Sequence, residues 1–274
     1  MSGPIRSILA CVMIATAAAP AAADDMDMAE LTAKGGCPDC DLALAELRRM
    51  NLADAAFAGA NLQEADLKSA SLIRTSFVGA DLQRVEMERA QLTGSDFSGA
   101  RMRNADLEKT DVSASRFTGA DMRSVDFGEA VLTDADLTDA DLRGGFLRRA
   151  NAEGAVFRDA KLDDADLERA NLDGVDFTDA RLPYADLDRA DARGASFHDA
   201  DMTGVRLSSA DLSGADLRGA KLSRAHIRRT NFSGADLRNV SGLDERRLGQ
   251  ACGDAETKLP KGYSIKACGT GGQD

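Results

Sequence analysis

Apolar residues recur at every fifth position along most of the chain, beginning Leu42, Leu47, Leu52, Phe57, Leu62 and Leu67 and ending at Leu237. The series has 40 places, and every one holds Leu, Phe, Met, Val, Ile or Ala. Two residues before each lies a small residue in all places but Met50, with Ala in 28 of the 40. The residue between the two is usually polar, most often Asp or Asn. A period of five suits neither an amphipathic helix nor a long alternating strand. It suits a short strand and a corner, endlessly repeated. Within the strand the small residue points inward, the Asp or Asn outward, and the large apolar residue inward, as pleat alternation requires. The two remaining residues turn the corner. Gly at the second corner place, as in Gly59, Gly79, Gly99 and Gly119, supplies the positive φ that a type II turn needs.

The phenylalanines set how many units close one coil. Phe57, Phe77, Phe97, Phe117, Phe157, Phe177 and Phe197 lie on a spacing of twenty, with Leu137 in the one missing place. Gly154, Gly174, Gly194, Gly214 and Gly234 keep the same spacing on another edge. Twenty residues are four units, which predicts a square coil whose residues stack at i and i+20. Ten such coils extend roughly 48 Å at about 4.8 Å per coil.

The Ala-(Asp/Asn)-(Leu/Phe) pattern, seen at Ala65-Asp66-Leu67 and Ala215-Asp216-Leu217, resembles the pentapeptide repeat family over about 200 of the 274 residues. That resemblance implies a right-handed quadrilateral parallel β-helix, an all-β fold with short helical caps. It also implies that there is no shared set of catalytic residues, although some members mimic DNA and bind DNA gyrase.

The chain divides accordingly into a signal segment (1–23), an N-terminal cap (24–39), the β-helix (40–240) and a C-terminal cap (241–274). Arg6, the apolar run from Ile8 to Ala19 and Ala21-Ala22-Ala23 read as a cleaved secretory signal, which predicts a periplasmic or secreted protein. Lipidation at Cys11 is a rival reading, but only four residues separate it from Arg6. A solenoid needs caps over its open ends. Asp27 to Lys34, stopped by Gly35-Gly36, reads as one short helix. Ser241-Gly242-Leu243-Asp244 reads as a capping box opening another, with Leu243, Leu248 and Ala251 as its apolar stripe.

Candidate chemistry is sparse. After cleavage four cysteines remain, Cys37, Cys40, Cys252 and Cys268. They suit two local disulfides, Cys37–Cys40 and Cys252–Cys268, in an oxidising compartment, or a first pair left reduced. A shared zinc site would need the two ends of the rod to meet. His198 and His226 fall on different walls. Outward carboxylates stack at one-coil intervals (Asp106 with Asp126, Asp121 with Asp141, Asp166 with Asp186), but the Gly-rich loops of Ca²⁺-binding β-helices are missing. The stacked Arg89, Lys109, Arg149, Arg169 and Arg189 are expected to pair with the neighbouring acids. No metal, cofactor or catalytic residue is therefore expected.

Four residues break the polar exterior and form the candidate contact surface. Phe146, Val131 and Val156 stand where Asp or Asn is usual, and Tyr184 follows Pro183 in a corner. The net charge of −12 argues against direct nucleic-acid binding. The charge is uneven, with 19 acids and 9 bases in residues 129–201 but 3 acids and 7 bases in 202–239. The middle therefore matches DNA in charge density, while the C-terminal coils oppose it. The expected function is an exported, non-catalytic scaffold with an unknown protein partner, and the charge polarity permits end-to-end or face-to-face self-association. The alternative is an acidic mimic of DNA acting on a target such as gyrase.

Overall fold

The computed structural model describes residues 28–269; the signal segment and Cys11 lie outside them. From Gly36 onward each outward residue pairs in parallel with the residue twenty places later, as in Asp41↔Asn61, Asn61↔Asp81 and Asp81↔Arg101. This is the predicted four-sided coil. Its walls are named here by the outward residues of the first complete coil: Asp41, Glu46, Asn51 and Ala56.

Four of the five backbone amides in a typical unit have a backbone partner, which is why so short a repeat can fold. The small inward residue donates within its own corner, as Ala65 N does to Leu62 O at 3.1 Å. The outward residue donates to the coil before, as Asp66 N does to Ala45 O at 2.9 Å. The large apolar residue and the second corner residue donate to the coil after, through Leu67 N to Glu86 O and Ser69 N to Glu88 O. The first corner amide is left over. At most of the places where the outward residue is Asp or Asn, its Oδ1 accepts this last bond, as Asp66 does from Lys68 N at 3.1 Å. Outward Asp and Asn thus close the corner by an Asx turn as well as facing water.

Every second corner place from Asp39 to Asn239 has positive φ, and most of these places are not glycine. The expectation that glycine marks these corners is therefore too narrow. Asp, Arg and Ser hold φ near 55–63° there, for example Asp134, Arg189 and Ser209. At most of these places the bond from the amide to the next coil, as from Asp134 N to Glu153 O, offsets the steric cost of the left-handed conformation.

The interior consists of stacked columns. Phe77, Phe97 and Phe117 stack with centroids 4.9 and 4.8 Å apart, and Phe157, Phe177 and Phe197 repeat this at 5.1 Å. The column breaks at Leu137 for a packing reason. Phe127 enters from the opposite wall and meets Phe117 edge-on at 5.8 Å, filling the volume that another ring would need. Buried hydroxyls also stack: Ser95 and Ser115 donate to Leu72 O and Leu92 O at 2.9 Å, and their oxygens accept from Thr75 N and Ser95 N.

Helix α1 (Met28–Lys34) ends at Gly35 and Gly36, whose positive φ turns the chain into the first coil. Leu31 is buried in the core there. Helix α2 (Glu245–Leu248) is capped by Asp244, which accepts from Arg247 N. Ser241 is not the cap; it is the last outward residue of the ladder, paired with Lys221. Leu243, Leu248 and Ala251 are buried. The chain beyond α2 then continues the β-pairing, with Cys252 on Asn231 and Lys258 on Asp236.

Candidate functional site

The four candidate contact residues do not form one patch. Val156 is half-buried on the Ala56 wall, opposite Phe146 on the Glu46 wall, and Val131 is half-buried on the Asn51 wall. Tyr184 lies at the corner preceding the Glu46 wall, its ring covering Gly204 one coil on, where a Cβ would sit 2.5 Å from Cδ1. The i+20 stacking sorts outward residues into separate columns, so apolar character alone does not bring them together. Phe146 stands apart, with 49% of its surface exposed between Asp126 and Asp166.

Beside Phe146 is a recess of about 490 Å³. Gly128 lines it, the one glycine at a first corner place between residues 40 and 239. A Cβ there would meet Asp126 Oδ1 at 3.0 Å and Glu108 Cγ at 3.6 Å. Long side chains at this place elsewhere lean to the outward residue eighteen positions later, as Arg48 does to Asp66, and glycine sends none toward Phe146. Arg148, Arg149, Arg169, Glu108, Glu129 and Glu168 frame the opening. Arg148 bridges Asp166 at 2.7 Å and Glu168 at 2.8 Å, and Arg189 reaches Glu168 at 2.9 Å. These pairs hold a charged rim in place around the single apolar side chain of the lining, Phe146. Val131 lies just past the corner made by Gly128 and Glu129. Sequence reasoning found Phe146 but missed the recess; the signal was the unique position of Gly128.

Stacked acids behave in two ways. Asp121, Asp141, Asp166 and Asp186 pair with Arg123, Arg143, Arg148 and Arg206, not with the stacked corner cations, of which Lys109, Arg149, Arg169 and Arg189 contact Glu108, Glu129 or Glu168 instead. Asp106 and Asp126 form no ion pair among the described residues. Burial, together with the carboxylates of Glu88 and Asp126, holds Asp106 above the usual carboxylate range. Asp141 lies below that range despite its burial, because Arg143 donates to both its oxygens.

Cys37–Cys40 and Cys252–Cys268 are disulfide-bonded, with Cα atoms 5.6 and 4.7 Å apart. His198 contacts Asp199 at 3.2 Å, while His226 stands on another wall. Among the described residues no three His, Cys, Asp or Glu side chains could hold a metal ion. No helix among them is long and apolar enough to cross a membrane.

A closed square of short parallel strands with polar corners defines the class: a β-solenoid that presents surfaces rather than an enclosed pocket. The chain belongs to the pentapeptide repeat family, whose model matches it in overlapping copies from residue 40 to 241. A search of curated proteins finds no match. Among solved structures, QnrB1, a plasmid-mediated fluoroquinolone resistance protein, is 24% identical over 68% of this chain and 92% of its own, with a TM-score of 0.48. HetL of Nostoc sp. strain PCC 7120, involved in heterocyst differentiation regulation, is 29% identical over 81% and 94%, with a TM-score of 0.35. A pentapeptide repeat protein of the Arabidopsis thaliana thylakoid lumen is 34% identical over 41% and 72%, with a TM-score of 0.17.

Proposed function

We propose that the chain is an exported, non-catalytic scaffold that binds a protein partner on the Glu46 wall at Phe146. The observation that carries this reading is the ring itself, half-exposed above the gap left by Gly128 and framed by Arg148, Arg149 and Arg169. An aromatic anchor with arginines around it is the usual composition of an interface hot spot. The segment Arg6 to Ala23 supports export. Phe146→Asp places a polar residue where the neighbouring coils already carry Asp126 and Asp166, and the thermal midpoint of the variant verifies that it folds. The proposed test is affinity capture from periplasmic extract with the wild type and with Phe146→Asp. A specific partner lost at least about tenfold in the variant is the expected result; equal capture by both would overturn the site. Residues 1–23 fused to a reporter active only outside the cytoplasm test export separately.

A second reading, mimicry of DNA toward a target such as gyrase, is favoured by one feature. Asp139, Asp159, Asp179 and Asp199 occupy successive second corners in a single file. The first three form no ion pair among the described residues. An in vitro supercoiling assay separates the readings: a scaffold leaves gyrase unaffected, whereas a mimic inhibits it and loses inhibition when Asp159 and Asp179 become Asn.

A further inference from the structure

The Glu46 wall reverses its charge at its C-terminal end. Along its length, arginines find acids one coil away, as Arg148 does at Asp166 and Arg206 does at Asp186 and Asp188. The last coil has no following coil to supply an acid, and α2 lies there instead, anchored by the bond from Arg229 N to Gln250 O at 2.8 Å. The helix brings further arginines. Arg224 and Arg228 project from the corners on either side of His226, and Arg246 and Arg247 face them from α2. Together with Ser208 and Gln250 they line a recess of about 480 Å³ that has no carboxylate in its lining.

Arg247 is held by Asp244 at 3.0 Å. Arg224, Arg228 and Arg246 form no ion pair among the described residues, and all three are exposed. Several guanidinium groups around one hollow repel each other unless an anion lies between them, and their planar donors match oxyanions in pairs. A hollow of this size falls within the range of small-molecule sites and exceeds the needs of a single oxyanion.

We propose that this recess binds a small, multiply charged oxyanion of the polyphosphate type, held by Arg224, Arg228, Arg246 and the free edge of Arg247. Ser208 and Gln250 supply neutral donors at its margin. The site is separate from the Phe146 recess, with which it shares no residue.

The test uses inorganic tripolyphosphate, with inorganic phosphate and poly-glutamate as comparison probes, titrated calorimetrically against the full chain. Tripolyphosphate is expected to bind at one site, more tightly than phosphate, and to raise the thermal midpoint. The double variant Arg228→Ser, Arg246→Ser should weaken it at least about tenfold and abolish the thermal shift. Arg49→Ser removes another unpaired, exposed arginine near the opposite end of the rod and should change neither readout. Thermal midpoints without ligand verify that both variants fold. The proposal is overturned by absence of saturable binding at millimolar tripolyphosphate, by equal loss with Arg49→Ser, or by tighter binding of poly-glutamate, which would make the recess a docking site for acidic protein.

Discussion

Asp111 accepts from Ser113 N at 3.0 Å and from Ser113 Oγ at 2.6 Å, and it forms no ion pair among the described residues. It isolates the corner-closing role of the outward carboxylate from any charge pairing. Asp111→Ala leaves the Ser113 amide to water and removes the Asx turn. The expected cost is about 1 kcal/mol, comparable to losing a helix N-cap. Asp111→Asn keeps the acceptor and should lie within about 0.5 kcal/mol of wild type. Urea unfolding of both variants checks the difference, and equal losses would show that charge rather than corner geometry is responsible. The preference for Asp and Asn was plain in the sequence. Its reason was not, because the unpaired amide becomes visible only when all five donors of the unit have been placed.

Columns of strands carry a different kind of energy. On the Glu46 wall Asp106 faces Glu88 and Asp126 without a cation, and its pKa is raised by burial and then by these neighbours. A carboxyl whose pKa rises on folding favours the folded state only while protonated. Its contribution is therefore lost as pH increases through the raised value. Asp106→Asn keeps the bond from Glu108 N, which spans 3.0 Å, and removes the charge. It should stabilise the coil at pH 7 by about 0.5 kcal/mol, the scale of like-charge contacts between strands. The gain should shrink toward zero below about pH 4, where the ordinary carboxylate also protonates. Thermal midpoints at pH 7 and pH 4 measure it; a gain of the same size at both would rule out charge repulsion as the cause. Arg48 with Asp66 and Arg158 with Asp176 show a further pairing rule, from a first corner to the strand eighteen residues later. The twenty-residue stack was legible in the phenylalanines, but this diagonal was not, because it depends on which way long side chains lean.

At the scale of the molecule, the open end of the rod is closed by α2 and by the strands that follow it, tied by Cys252–Cys268 across 16 residues. Replacing both cysteines with Ser frees that loop in the unfolded chain, which in the chain-entropy model costs about 3 kcal/mol. Because each coil touches only its neighbours, the loss should concentrate in the cap. Hydrogen exchange is expected to quicken in residues 243–268 while the coils around Phe97 remain protected. Uniform loosening along the rod would contradict this nearest-neighbour behaviour. The chain by itself determined the period, the four walls, the inward columns and the cysteine partners, since these follow from spacings of five and twenty and from proximity in sequence. Tertiary structure alone decided where Phe146 meets the gap at Gly128 and where α2 sets Arg246 against Arg228. Those contacts join residues that no repeat relates, and only the closed coil and its docked cap bring them within reach.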